Sequence, residues 1–416
     1  MKKHLNLMLV VLCLVLGMIV GSFLDKNSIF TMILDVGGKL FMNALMLVII
    51  PLVASAIITS FSRFEGTNFG KLGGKILFWF VTLNFTAILL SFVLASIFAE
   101  PIAASAKHLH AIGTMTSENL QALSNPFQNV LNIFLKIVPV NIIAALAEGQ
   151  LLGIIFFCLV FGYLITKIEK KLATTIQEFF EGMFHIMIKF TQLIMKLLPL
   201  GIFCLVTKQF AETGWSALRP LLLYTFIIIG GFLVFTFVIL PIILKFWAKV
   251  SPWKLIKAMF PALITAFSTC SSAATLPVTL NCIEKNAKVS NRISSLVLPL
   301  GLSLNLAGSS FYIFLTVAFV MQVNGLTLAL GLKIALLFLT LLFGFGIVGI
   351  PSAALIVSIT MLKIFNVPIE TIGLFLAIDR IIDMFRTMTN VFTNTTSAIM
   401  VASSEGEKIL DKTAKE

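Results

Sequence analysis

The sequence has little charge and few of the side chains that soluble enzymes use for catalysis. Only 12% of its 416 residues are charged, whereas 59% are hydrophobic and the mean hydropathy is +1.05. An ordinary soluble domain carries about 25% charged residues, so this composition excludes a soluble globular enzyme. Apolar runs of membrane-spanning length recur along the chain. They predict an all-α polytopic membrane protein rather than a protein held by one anchor.

Cysteine and histidine are scarce as well. The five cysteines are scattered, with no Cys-x-x-Cys pair and no metal-ligand spacing to histidine, so we expect neither a disulfide framework nor a structural metal site. The four histidines are dispersed, and the chain has no nucleophile elbow or phosphate-binding loop. We therefore predict that the protein is not an enzyme and holds no organic cofactor.

The net charge of +12 is interpreted as a record of membrane orientation. Lysines and arginines concentrate in alternate loops, at 2–3, 63–75, 167–171, 245–257, 285–292 and 408–415. By the positive-inside rule these loops and both termini are cytoplasmic, and no nucleic-acid partner is needed to explain the charge. The apolar run 5–24 is long for a signal peptide and lacks a clear cleavage site, which favours a retained first span in a bacterial-type plasma (inner) membrane.

Two apolar segments have the composition of re-entrant hairpins. The basic loops 245–257 and 285–292 both carry the cytoplasmic signature, so the segment between them should enter and leave on one side. Its tip, 268–277, is a run of small and polar residues that ends in proline. The segment 331–364 is interrupted in the same way at 344–354. Paired broken segments are typical of the substrate site of secondary transporters, and glycine-rich packing helices are the alternative.

The last apolar segment carries polar side chains on one face. At 100° per residue, an arc of roughly 100° contains Asp379, Asp383, Arg386, Thr387, Asn390 and Asn394. An ionised side chain at the centre of an isolated span costs about 2.5 to 3.5 kcal/mol. With the neighbouring Arg380 the segment has four charges, which would together cost on the order of 10 kcal/mol. They must face protein or a water-filled site.

Two interpretations of these charges remain open. One is a ladder of structural ion pairs, which we prefer for Asp379 and Arg380. The other is a binding site, which we prefer for Asp383 and Arg386. A guanidinium binds a carboxylate with two parallel hydrogen bonds, and a carboxylate three residues away can hold an ammonium. Together they match both ends of an acidic amino acid.

The seventh predicted span contains small polar residues in its middle, at Gly308, Ser309 and Ser310. These residues would allow the helix to unwind and expose carbonyl oxygens to a cation. They would equally allow close packing against a neighbouring helix. The residues alone do not decide between the two.

Four motifs in order resemble the dicarboxylate/amino acid:cation symporters, the family of the glutamate transporter homologues, over nearly the whole chain. They lie at 271–277, 305–309, 349–351 and 379–394. The resemblance implies eight spans plus two re-entrant hairpins, a homotrimer, and elevator movement of a transport domain against a scaffold. The scaffold would comprise 1–70 and 127–247. The transport domain would comprise 71–126, with the third span and an extracellular loop, and the core at 248–416.

The resemblance also implies roles for individual residues. Arg386 would bind the substrate's side-chain carboxylate, which points to glutamate, aspartate or a C4-dicarboxylate. Asp383 would bind the amino group, which favours an amino acid among these. The other substrate-binding residues implied are Cys270, Ser271, Ser272, Ser309, Ile350, Ala354, Thr387 and Asn390. Candidate cation-binding residues are Gly301, Ser303, Asn305, Phe345, Asn390 and Asn394.

Several positions depart from the family pattern. Two carboxylates that ligate sodium in the family are replaced, by Ala307 and by Asn394. Polar residues of another sodium site correspond to Phe80, Leu83 and Asn84, and a hairpin threonine corresponds to Ile347. We therefore expect coupling to protons or to fewer sodium ions. A substrate-gated channel or an uncoupled exchanger on the same fold is the alternative.

Overall fold

The computed structural model describes residues 2–25, 28–62, 69–106, 138–148, 151–213, 215, 218–326, 328–344, 353–365, 367, 372–407 and 409–410. Within these residues every regular element is a helix. The first half comprises α1 (Lys2–Phe23), α2 (Ile29–Ser62), α3 (Phe69–Ile97), α4 (Ala99–Ala106), α5 (Ile142–Glu148), α6 (Leu151–Ile165), α7 (Lys170–Met195) and α8 (Leu198–Thr213).

The described part of the second half is helical as well. It comprises α9 (Leu218–Val234), α10 (Leu240–Ile243), α11 (Pro252–Thr269), α12 (Ser272–Lys285), α13 (Asn291–Leu304), α14 (Ala307–Val323), α15 (Leu330–Gly344), α16 (Ala353–Ile364) and α17 (Ile372–Ser404). A turn of π-helix at Phe235–Ile239 connects α9 to α10, and a second at Leu244–Ala248 follows α10, so these elements form one continuous helix.

Three stretches within the described residues are long and apolar enough to cross a bilayer: Leu72–Ile97, Pro220–Ala248 and Asn291–Val323. A fourth candidate is the pair Lys170–Ile194 and Leu198–Lys208, which is bent by 54°. Shorter apolar stretches in the described part of the chain include Ile50–Thr59, Gly153–Ile165 and Leu330–Gly344. Broken helices of this kind are tolerated in a membrane where protein covers the free backbone groups.

Helix α14 lies at the centre of the fold, and all of its residues are buried. It packs against α3, α15, α16 and α17, while α17 also contacts α9 and α11 to α13. A helix that is apolar around most of its circumference is stable where other helices or lipid surround it, and here other helices do so. The first half of the chain packs more simply, with α1 along α8 and α2 between α6, α7 and α8.

Helices α11 and α12 form a hairpin with a very short turn. Cys270 ends α11 in the left-handed conformation, with φ of 52°, and Ser271 caps α12 by accepting a hydrogen bond from the Ala274 N–H at 3.2 Å. The hydroxyl of Thr275 donates back to the Ser271 carbonyl at 2.9 Å. The predicted interruption at 268–277 therefore occurs at two residues, and local side-chain bonds satisfy its backbone.

A second break separates α13 from α14. Asn305 and Leu306 leave the helical conformation, with ψ angles of 62° and 59°. Gly308, which the sequence marked as a site of unwinding or of close packing, is helical. A Cβ at Gly308 would lie 2.9 Å from the Arg386 carbonyl oxygen, so the glycine allows α14 to approach α17 closely.

Candidate functional site

The polar face predicted for the last helix is present and is enclosed by protein. Asp383, Arg386 and Asn390 are each at most 3% exposed. They lie on α17 where that helix passes α14. Buried ionised groups are stable only when they are paired, so the contacts of the guanidinium decide what this face can do.

Arg386 is held between two carboxylates and an aromatic ring. Its Nη2 donates to Asp383 Oδ1 at 2.6 Å, and its Nη1 lies 3.7 Å from Asp379 Oδ1. The guanidinium carbon lies 4.8 Å from the centre of the Tyr312 ring, a cation–π distance. Nη1 is buried and has no hydrogen-bond partner among the described residues. One edge of the guanidinium therefore retains hydrogen-bonding capacity for a further acceptor.

Tyr312 was not identified from the sequence as a site residue. Its hydroxyl donates to Asp379 Oδ1 at 2.9 Å, and the side chain is fully buried. Its position three residues after Ser309 places both on one face of α14, which is the signal that would have found it. Asp379 thus contacts both Tyr312 and Arg386, and Arg380, with which the sequence grouped it, is half-buried.

The neutral residues of the face link α17 to α14. Asn390 donates its amide N–H to the Ser309 hydroxyl at 3.1 Å, and its amide oxygen accepts from the Ser309 backbone N–H at 3.3 Å. Thr387 donates to Asp383 Oδ1 at 3.3 Å. Four of the predicted substrate-binding side chains therefore form two directly bonded pairs, Asp383 with Thr387 and Ser309 with Asn390.

The tip of the α11–α12 hairpin lies against the same part of α17. The rings of Phe267 and Phe385 meet edge to face at 5.1 Å, one residue before Arg386. Cys270 and Ser272 are buried, and Ser271 is half-buried. Of the second predicted tip, Ala354 is buried in the first turn of α16, whereas Ile350, Phe345 and Ile347 lie outside the described residues.

Those candidate cation-binding residues that the structure describes lie around the break between α13 and α14. Gly301 approaches Asn394 so closely that a Cβ would lie 2.3 Å from its Oδ1. This oxygen is buried and accepts no hydrogen bond from the described residues. Ala307 is fully buried and apolar, and the side chain of Ser303 is outside the described set. Among the described residues, no group of three His, Cys, Asp or Glu side chains could hold a metal ion.

Substituting Gly301 with alanine is expected to destabilise the protein by about 1 to 3 kcal/mol, because the new methyl group overlaps the Asn394 amide. Adding Asn394→Ala should restore part of this loss by removing the opposing atoms. Thermal unfolding of the two single variants and the double variant measures the coupling. Gly74→Ala is the matched control, since nothing lies within 4 Å of its Cβ position. Strictly additive losses would contradict the contact.

Comparisons with known proteins agree on one class of protein, the symporters and transporters of acidic substrates. The model of the sodium:dicarboxylate symporter family matches residues 7–404. The chain is 31% identical to the proton/sodium-glutamate symport protein of Geobacillus stearothermophilus, over 95% of this chain and 93% of that protein. It is 28% identical to the proton/glutamate-aspartate symporter of Escherichia coli (strain K12), over 95% and 92%. It is also 28% identical to excitatory amino acid transporter 3 of Mus musculus, over 92% and 81%.

Proposed function

Because the chain belongs to the sodium:dicarboxylate symporter family, we propose that it is a secondary active transporter that imports glutamate, aspartate or a C4-dicarboxylate together with a cation. The family is one of membrane transporters and not of enzymes. The observation that carries the proposal is the buried Arg386, which pairs with Asp383 at 2.6 Å and keeps a hydrogen-bond donor without a partner among the described residues.

Substrate binding is proposed to exchange partners within this pair. The substrate's side-chain carboxylate takes the two parallel N–H groups of Arg386, and Asp383 turns to the substrate's ammonium group. Each buried charge then keeps an opposite charge beside it, which is the condition for a buried ion pair to be tolerated. Thr387, Asn390 and Ser309 complete the hydrogen bonds.

The two hairpin tips are proposed to close over the substrate. Backbone groups of Cys270 and Ser272 would cover it from the first tip, and those of Ile350 and Ala354 from the second. The close contact of Phe267 with Phe385 supports this role for the first tip, because it places the turn beside the charged pair.

The coupling ion is proposed to be a proton, or sodium in reduced number. Ala307 and Asn394 supply no negative charge, so little offsets the dehydration of a sodium ion at the α13–α14 break. Carbonyl groups of Gly301, Ser303 and Asn305, with Phe345, Asn390 and Asn394, are the remaining candidate ligands. The names of the bacterial relatives include both proton and sodium, which supports either ion.

The larger assembly is proposed by analogy with the family. It comprises eight spans and two re-entrant hairpins, a homotrimer, and elevator movement of the transport domain. The chain is proposed to lie in a bacterial-type plasma membrane with both termini in the cytoplasm. The concentration of basic residues in alternate loops supports this orientation.

Uptake of labelled glutamate into proteoliposomes tests the proposal, with an inward proton gradient and an inward sodium gradient imposed separately. We expect concentrative uptake with the proton gradient, or with sodium at low stoichiometry. Uptake that requires several sodium ions per substrate would contradict the coupling proposal. Equilibration without accumulation under every gradient would favour the uncoupled exchanger, and a substrate-dependent ion conductance would favour the channel. The uncoupled exchanger and the channel are retained as alternatives because Ala307 and Asn394 are neutral where the family has carboxylates that ligate sodium.

A further inference from the structure

The amide of Asn84 occupies an unusual position at the break between α13 and α14. It projects from α3, and its Nδ2 lies 2.8 Å from the Phe80 carbonyl oxygen, 3.1 Å from Asn305 Oδ1 and 3.5 Å from the Leu304 carbonyl oxygen. The side chain is 3% exposed. A single nitrogen thus lies among three oxygen atoms from two separate parts of the chain.

The orientation of this amide is set by its neighbours. Its Oδ1 accepts a hydrogen bond from the Ser310 hydroxyl at 2.9 Å. A flipped amide would place that oxygen 2.8 Å from the Phe80 carbonyl oxygen, where two acceptors repel each other. The N–H groups of the Asn84 amide are therefore directed to the oxygens of Phe80, Leu304 and Asn305.

The side chain of Asn305, which accepts from Asn84, is itself part of a chain of hydrogen bonds that reaches α17. The amide of Asn305 donates to the Ser397 hydroxyl on α17 at 2.8 Å, and that hydroxyl donates to the Thr393 carbonyl at 3.1 Å. Asn305 and Ser397 are completely buried. Neutral hydrogen-bonding groups therefore connect α3 to the α13–α14 break and connect this break to α17.

The carbonyl end of a broken helix attracts positive charge. The last carbonyl groups of a helix carry a partial negative charge and have no partner within it, and in broken membrane helices such carbonyls coordinate coupling cations. Leu304 ends α13, and Asn305 lies in the break. The positive ends of the Asn84 N–H bonds are directed to this place.

We propose that the Asn84 amide is a tethered, uncharged substitute for a cation at this break, so that this part of the protein functions without an ion from solution. The inference deepens the proposed function, because it identifies a residue that determines which ions couple to transport. Asn84 acts by positioning the oxygens of the break and does not contact substrate.

The test replaces the donor by an acceptor of the same shape. In Asn84→Asp, a carboxylate oxygen faces the carbonyl of Phe80 and the amide oxygen of Asn305. Four oxygens, one of them charged, then require a cation from solution. Asn84→Leu is the matched control, because it removes the donor without adding charge. Melting temperatures of the purified full-length protein are measured in sodium, potassium and choline chloride, at neutral and mildly acidic pH.

We expect Asn84→Asp to melt about 5 °C or more below the unmodified protein in choline at neutral pH. Sodium, or acid that protonates the carboxylate, should restore most of this loss. Asn84→Leu should respond to sodium no more than the unmodified protein does. If Asn84→Asp does not fold, Asn84→Ser vacates the space among the oxygens and should gain the sodium response instead.

Two results would overturn the proposal. One is that the Asp or Ser variant responds to cations no more than the unmodified protein. The other is that Asn84→Leu abolishes a sodium response of the unmodified protein, which would make Asn84 itself an ion ligand. The melting temperatures are measured without glutamate, so failure of this proposal is distinguishable from failure of the transport proposal.

Discussion

Arg386→Ala is expected to lower the uptake of glutamate and aspartate about 100-fold or more. The substrate carboxylate would lose two charge-assisted hydrogen bonds in a buried site. Leaving a buried charge without its partner costs about 3 to 5 kcal/mol, and each 1.4 kcal/mol is a factor of ten in affinity. Initial rates of labelled glutamate uptake into proteoliposomes measure the effect.

Two further variants separate binding from folding. Arg386→Lys keeps the positive charge but lacks the planar fork, so we expect an intermediate loss. Arg292→Gln removes a cation from an exposed position in α13 and should leave uptake unchanged. Because Arg386→Ala also leaves Asp379 and Asp383 without their guanidinium, its melting temperature must be measured alongside. Normal acidic-substrate uptake by a folded Arg386→Ala would contradict the assignment.

Asp383→Asn is expected to discriminate between substrates. The variant loses the carboxylate that is proposed to hold the ammonium group, so glutamate and aspartate uptake should fall about 100-fold. A C4-dicarboxylate has no ammonium group, and the freed Arg386 remains available to it. Its uptake should therefore fall much less, or rise. Competition of unlabelled succinate against labelled aspartate measures this change of preference.

The matched control for that variant is Glu405→Gln. It removes a carboxylate just beyond the C-terminal end of α17, about 30 Å from Asp383 along the helix axis at 1.5 Å per residue. Glu405 is exposed and pairs with Lys75, and the hydrogen bond from Lys75 lowers the pKa of that carboxyl. Its loss should not alter the ratio of aspartate to succinate uptake. An equal fall for both substrates in Asp383→Asn would contradict the ammonium assignment.

The family was predictable from the sequence because its motifs are local. The resemblance carried by four short segments is confirmed by the family match across residues 7–404. The polar face of α17 was predictable for the same reason, since helical periodicity alone places Asp383, Arg386 and Asn390 together. The interruption at 268–277 was predictable from its small and polar residues.

Other features depend on contacts between distant parts of the chain, and the sequence did not reveal them. The ring of Tyr312 against Arg386 requires α14 to lie beside α17. The amide of Asn84 reaches Asn305 across 221 positions of sequence. The α13–α14 break lies at Asn305 and Leu306 rather than at Gly308, because the glycine is used for close packing against α17.

Concentrative uptake of glutamate is the most direct test of the account. Proteoliposomes with inward proton and sodium gradients imposed together are compared for the unmodified protein and Arg386→Ala. We predict accumulation above the external glutamate concentration by the unmodified protein, abolished by dissipating the gradients and absent in the variant. Accumulation that is equal in both proteins, or no gradient-dependent accumulation by the unmodified protein, would contradict the account.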